Sequence, residues 1–397
     1  MKLGWLILPV FVFLLYSCNK DKGENNLIWE SVLDQDVPIL NNFDPIIYKD
    51  QVIQRVKQRG KIISYDKHSG DELWTWTDGN DSYGVDGYQI GTYIYGNILI
   101  TGFTNLTYAI NLDTGETIWE DKAETNGVAF YTGLGNKIVK YDYTPDIEYF
   151  IRIGNAETGE FETIHHWNKD DEYSIGNTLP LIFEWDGVEY VVWSQVKYGL
   201  PNGYHEYIQF LHLYNLDDGK MEWVSDTIPM QYSASGTAGL RPKFHDGQIL
   251  LDNDAIYSYN VEDGSLEWWK YFGNGFTTSR LTYAEGKVFA NNDDSYMVAL
   301  DVHTGYEYWR SQTNSGASHI KYNAEKVYIS GGINVSESKR KLQILDAKTG
   351  STLINQHLDS DNGNLLGAYD NVIGVDPETG RVYTSDHEHL MCFDFGL

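Results

Sequence analysis

Apolar and polar residues alternate with a period of two in short runs along the chain, and no segment reads as a long amphipathic helix. One alternating unit recurs. From Ala299 to Trp309 a strand runs to Asp301, a four-residue turn closes on Gly305, and a second strand carries an aromatic four residues past the glycine. This is the signature of a β-hairpin. The turn glycines of the copies are Gly70, Gly115, Gly159, Gly219, Gly264, Gly305 and Gly350, at spacings of 45, 44, 60, 45, 41 and 45 residues. A period of that size with strand-turn-strand content predicts propeller blades rather than helical repeats.

The spelling of the unit follows from its chemistry. Asp66, Asn111, Asn155, Asn215, Asn260, Asp301 and Asp346 each stand four residues before a turn glycine, where a short polar side chain can bond the turn backbone ahead of it. Glycine takes the positive φ that closes the turn. Trp74, Trp119, Trp223, Trp268 and Trp309 follow four residues later, with Thr163 and Ile354 in the same slot of the weaker copies. Large flat side chains at that position suit packing between neighbouring sheets.

The two chain ends hold complementary halves of a repeat. Leu390 to Asp394 copies the first strand of the hairpin and the chain stops three residues later, whereas Leu27 to Glu30 copies the second strand, with Trp29 one period of 45 residues before Trp74. The predicted fold is therefore all-β: an eight-bladed β-propeller of four-stranded antiparallel blades, closed by the N-terminal strand completing the last blade.

Within the sixth blade an inner strand is expected around Ser279 to Tyr283, a turn at Ala284-Glu285-Gly286, a second strand at Lys287 to Ala290, and then the hairpin described above. Loops between second and third strands share the face opposite the glycine turns, and that set is the more variable in length. Blade four carries Lys197 to Glu206 there, blade three Tyr141 to Glu148 and blade seven Gly331 to Lys341. Long loops on one face of a rigid ring are natural binding elements. Tyr198 and Tyr204, with Tyr143, are candidates for contact with a sugar or a protein edge, or for packing on their own blades.

Aligned on the turn that follows each inner strand, the residues six positions earlier are Asp44, Ile90, Ala129, Leu181, Arg241, Arg280, His319 and Gly374. The three cations fall in consecutive blades, which places Arg241, Arg280 and His319 side by side at the channel mouth on the long-loop face. Two guanidinium forks beside an imidazole suit a carboxylate or phosphate ligand, or an acidic partner segment. Pairing with nearby carboxylates along the channel wall is the alternative reading of the same residues.

The pattern Ala-x-Asp-x-x-Thr-Gly-x-x-x-Trp, complete from Ala299 to Trp309 and nearly so from Ala109 to Trp119, resembles the repeat of the pyrroloquinoline-quinone-type propellers. That superfamily includes quinoprotein dehydrogenases and the propeller lipoprotein of the outer-membrane barrel-assembly machine. The resemblance covers roughly residues 27 to 397 and implies the fold more strongly than the activity, since one fold hosts several. The dehydrogenases are longer chains, and those resembling the alcohol enzymes place adjacent cysteines by the cofactor, which this sequence lacks. The lipoprotein resemblance implies a non-catalytic scaffold without a cofactor, and a monomer whose partner is an envelope protein, the barrel-assembly machine being the one the resemblance suggests.

The first residues agree with that expectation. Met1-Lys2, an apolar run from Leu3 to Tyr16 and then Ser17-Cys18 read as a secretory signal, and Leu-x-Ser-Cys resembles a bacterial lipobox. The expected organisation is a signal peptide over residues 1–17, acylation of Cys18, a polar tether over residues 18–26 and one propeller domain over residues 27–397. Contact with the membrane is expected through the lipid anchor only, at the outer membrane, on its periplasmic or cell-surface face.

Charge narrows the partners. With 29 basic and 57 acidic residues the net charge is -28, a field that repels nucleic acid and favours solubility. The chain holds two cysteines, Cys18 and Cys392, so acylation of the first excludes an internal disulfide and leaves the second as a small buried hydrophobe. His387-Glu388-His389 offers two metal ligands at most on one side of a strand, and Asp359 to Gly363 lacks the later positions of a calcium loop. No metal site is expected. Neither a nucleophile elbow nor a phosphate-binding or dinucleotide glycine loop is present.

Overall fold

The third strand of a typical repeat is buried on both faces along its middle, as in Lys61–Asp66, Tyr296–Asp301 and Lys341–Asp346. A sheet with two apolar faces must be covered from both sides. A ring of radially arranged sheets does this without a layer of helices, because each blade covers its two neighbours.

The computed structural model of the protein describes residues 26–33, 44–56, 60–79, 91–103, 106–122, 132–143, 148–168, 173–175, 180–199, 206–226, 242–252, 255–272, 281–292, 296–313, 319–331, 341–357, 372–385 and 389–397. They form eight antiparallel sheets and no helix. Blade 1 is representative: inner strand Ile46–Tyr48, second strand Gln51–Val56, third strand Lys61–Asp66 and outer strand Glu72–Trp76. Blade 8 joins the ends of the chain. Gly374–Val375, Val382–Ser385 and His389–Phe393 are followed in the sheet by Leu27–Val32, with Trp29 opposite Cys392 and Val32 opposite His389.

The core is divided among the eight interfaces between blades. Val52, Ile63 and Tyr65 of blade 1 pack with Trp29, Tyr383 and Cys392 of blade 8. Ile344 and Leu342 of blade 7 pack with Val382 and Phe393 of blade 8, and a cluster of the same kind fills each of the other six interfaces. The predicted eight-bladed ring with its N-terminal closing strand is the observed fold.

The glycine turns explain how neighbours are locked. Asp66 Oδ1 accepts the backbone N–H groups of His68 and Ser69 at 2.8 and 2.9 Å, and the Gly70 N–H donates to the Asp66 carbonyl at 2.9 Å. Gly70 has φ of 78°, and a Cβ there would lie 2.6 Å from the Trp29 indole. The tryptophan of one blade therefore rests on the turn of the next, and only glycine leaves room for it. Its Nε1 donates to the carbonyl one residue past the turn Asp or Asn: Trp29 to Lys67, Trp74 to Leu112, Trp119 to Ala156, Trp223 to Val261, Trp268 to Val302 and Trp309 to Ala347, all at 2.9–3.2 Å.

Several boundaries differ from expectation. The inner strand of blade 6 is Thr282–Ala284, and the second strand continues past Ala290 to Asn292. Both ends of the segment read as the long loop of blade 4, Lys197 to Gly199 and Glu206, are strand, since Val188–Gly199 and Glu206–Asn215 pair from Tyr190/Asn215 to Gly199/Glu206, and residues 200–205 lie outside the described residues. The added length extends a β-ribbon, and Tyr173–Ile175 adds a further strand beside it, with Ser174 opposite Tyr198. Val191, Val192, Val196 and Tyr198 along the second strand favour its continuation as strand. In blade 3 likewise, Lys137–Tyr143 and Glu148–Asn155 take up both ends of the expected loop, and residues 144–147 lie outside the described residues.

Candidate functional site

The end of the ring opposite the glycine turns is where the aligned register places candidate binding residues. Asp44 precedes the inner strand of blade 1, and His319 precedes Ile320–Asn323, the inner strand of blade 7. Blade 8 stands between them, yet the two side chains meet. His319 Nδ1 lies 2.5 Å from Asp44 Oδ1, and Lys321 Nζ lies 2.7 Å from Asp44 Oδ2.

Gly374 makes the contact possible. A Cβ at Gly374 would lie 2.7 Å from the Pro45 carbonyl oxygen and 2.9 Å from Ile47 Cδ1. Without a side chain there, the start of blade 1 closes onto blade 8, the Ile373 N–H donates to Asp44 Oδ1 at 3.1 Å, and the carboxylate reaches blade 7. His319 and Lys321 are two apart on an extended segment and so project to one side. The Asp44 and His319 side chains are only 12% and 13% exposed, and Lys321 is 37% exposed.

This geometry redefines the site drawn from the sequence. Asp44 and His319 are brought together, and the imidazole assigned to an anion cradle faces the protein's own carboxylate. Arg241, Arg280 and Tyr204 lie outside the described residues. Tyr198 sits in the second strand of blade 4, opposite Tyr207, and Cys18 precedes the described chain. The inference from the aligned positions did not include Lys321, although its signal is legible as the alternation His319-x-Lys321.

A second group of polar residues, between blades 2 and 3, escaped sequence reasoning. Lys140 is fully buried, with Nζ 2.6 Å from Asp121 Oδ2, 3.0 Å from Asp142 Oδ2 and 4.1 Å from the centroid of the Phe161 ring. Asp142 is also fully buried, and Arg152 Nη1 approaches it at 3.6 Å. On the other face of the same strand, Tyr141 begins an aromatic series that continues through Tyr149, Trp167 and His165 to Trp193 and His212 of blade 4. The Trp193 and His212 rings are 5.1 Å apart and inclined by 2°. Burial, reinforced by the neighbouring His166, holds the His165 imidazole below its ordinary pKa. Both groups read as interface packing. Among the described residues no group of three or more His, Cys, Asp or Glu side chains is arranged to hold a metal ion.

Comparison with known proteins bears on the family. The PQQ_2 family model, described as outer membrane protein assembly factor BamB, matches residues 14–132 and 209–396. Among solved structures, BamB from Moraxella catarrhalis is similar with a TM-score of 0.56 and 14% identity, over 93% of this chain and 97% of that one. A europium-containing methanol dehydrogenase gives 0.62 and 11%, over 90% of this chain and 84% of that one. Sqt1 from Saccharomyces cerevisiae gives 0.62 and 11%, over 93% and 99%. No curated protein matches the chain. At such identities the structural likenesses speak to the fold alone. The family match leaves out residues 133–208, which hold almost all of blade 3 and the first half of blade 4.

Proposed function

Since the chain belongs to the family of outer membrane protein assembly factor BamB, we propose that it is a non-catalytic protein-binding scaffold of the cell envelope, tethered to the outer membrane by a lipid on Cys18. The observation that carries this reading is the family match over residues 14–132 and 209–396. The Leu-x-Ser-Cys leader and the net charge of -28 fit a tethered protein that binds neither nucleic acid nor an anionic lipid surface. The partner class that follows from the family is a component of outer-membrane protein assembly.

The test is affinity capture of the native lipoprotein from detergent-solubilised envelopes, with mass spectrometry of what accompanies it, beside an Arg241→Ala/Arg280→Ala variant. Recovery of one assembly component in near-equal amount, reduced in the variant, supports the scaffold with its contact at the channel mouth. Recovery of nothing specific rejects it.

A second reading has the channel mouth take a small anionic ligand or a glycan, through Arg241 and Arg280 and with the Asp44 carboxylate displaced from His319 and Lys321. A ligand of that kind would raise the melting temperature by mass action. Titration with citrate, phosphate and a uronic acid, beside a quinone, separates this reading from a quinoprotein-type activity.

A further inference from the structure

Six indoles rest on six turn glycines, but the ring has eight interfaces. The two without a tryptophan are those where Thr163 and Ile354 occupy its slot. At the interface of blades 7 and 8 the chain supplies a substitute: Phe395 packs with the cluster that includes Ile354 and Leu27, and the Leu397 carbonyl oxygen lies 3.9 Å from the Cβ position at Gly380.

At the interface of blades 3 and 4, Ile164 and Trp167 of blade 3 and Tyr214, Leu216 and Met221 of blade 4 pack against the common core, but the turn glycine itself is left uncovered. A Cβ at Gly219 would have one heavy atom within 4 Å, the Tyr214 hydroxyl at 3.8 Å, and Gly219 is exposed, whereas the other seven turn glycines are buried or half-buried. Thr163 is exposed as well. The cause is a shift of register. In the other blades the outer-strand bulge falls just before the slot residue, as between Tyr65/Glu72 and Ser64/Trp74. In blade 3 it falls after Thr163, between Arg152/Thr163 and Ile151/His165. An added residue re-aims the side chains beyond it, so the slot residue of blade 3 is not swung onto the next turn. The blade 3 side of the notch, Phe161–Asn168, falls in the span 133–208 that the family model leaves out, whereas Tyr214, Leu216 and Gly219 fall inside the matched residues 209–396.

We propose that this notch, formed by Gly219, the Tyr214 hydroxyl and the Leu216 carbonyl that occupies the acceptor register of the six clamps, receives an aromatic side chain, an indole above all, from an extended segment of a partner protein. This deepens the scaffold reading and rests on it. The six internal clamps define the chemistry the slot accepts: a flat ring over a positive-φ glycine, with an N–H on the carbonyl one residue past the turn Asn. The outer strand of blade 3, Phe161–Asn168, is eight residues long with its outer edge at the rim of the sheet, which suits an extended partner. Glu160, Glu162, Asp217 and Asp218 are exposed around the notch, so the segment is basic beside its aromatic.

The probe is acetyl-Lys-Ile-Trp-Lys-amide carrying fluorotryptophan, followed by fluorine NMR with the full-length protein at physiological salt. A saturable shift is expected that the same peptide with Ala for Trp does not displace. Gly219→Asn places a side chain in the notch at a φ that Asn tolerates, and Thr163→Arg alters its entrance from an exposed position. Each should weaken the peptide roughly tenfold or more, while Gly380→Asn, at the interface filled by the C-terminus, leaves it unchanged. No saturable shift, or equal binding by Gly219→Asn, overturns the notch. Capture of an envelope partner equally by wild type and Gly219→Asn also overturns it while leaving the scaffold standing. Peptide binding with no partner captured by either protein upholds the notch and rejects the scaffold.

Discussion

In six of the eight blades a single tryptophan carries much of the contact with the neighbour, and its value depends on burial. Trp309 is 9% exposed, rests on Gly350 and donates to the Ala347 carbonyl at 3.0 Å. Trp309→Ala should cost about 3–5 kcal/mol, read as a lower denaturant midpoint with an unchanged slope. Exposed Thr163→Ala should stay within about 0.5 kcal/mol. The turn carboxylates add a pH dependence. The backbone N–H of Ser69 holds Asp66 below its ordinary pKa, and the Thr349 hydroxyl and N–H do the same for Asp346. A group depressed in the folded state stabilises above its unfolded pKa of about 3.9 and loses that contribution as pH falls through the lower folded value. Stability should therefore hold from pH 7 to about 5 and decline below about 4. Asp346→Asn should flatten that decline in urea titrations across the range, since the amide keeps the turn bonds and does not titrate.

At the scale of the blade, the turn glycines and the tryptophan slots were legible in the sequence because each is a local requirement: positive φ, a short capping side chain, a flat ring at fixed distance. The departures of blades 3 and 4 were not. A displaced bulge changes which residues face each other without changing the spelling of either strand, and a ribbon prolonged through Lys197 and Tyr198 reads as a loop when the repeat sets the expected length. The Lys140–Asp142 pair was hidden for a different reason, since its partner Asp121 belongs to the preceding blade and only the ring brings them together. Lys140→Met should cost about 3–5 kcal/mol by leaving buried Asp142 with only the more distant Arg152, and adding Asp142→Leu should recover most of that. Recovery in the double variant, measured by thermal unfolding, separates a charge effect from a packing effect.

Over the whole molecule the six tryptophan clamps fall into two arcs. Trp29, Trp74 and Trp119 join blades 8, 1, 2 and 3, and Trp223, Trp268 and Trp309 join blades 4, 5, 6 and 7. The two interfaces lacking a clamp lie opposite each other. One is sealed by the C-terminal residues, and the other holds the notch over Gly219 and, farther along the interface, the His165–Trp193–His212 stack. Ring closure makes the arcs one unit. Removal of residues 1–33 takes away the outer strand of blade 8 and the Trp29 clamp together, so the shortened protein should lose its single cooperative transition in calorimetry and expose the edge of His389–Phe393 to self-association. Closure was legible from the matching halves at the chain ends. The channel mouth was legible only in part, because register alignment identified Asp44 and His319 without showing that Gly374 lets one reach the other.

The most direct measurement of the scaffold account is native mass spectrometry of the full-length protein, extracted gently with detergent from the cells that make it. The account predicts a complex with one outer-membrane assembly component bound at a fixed ratio. A spectrum of the chain alone, under conditions in which known envelope complexes survive, would contradict it.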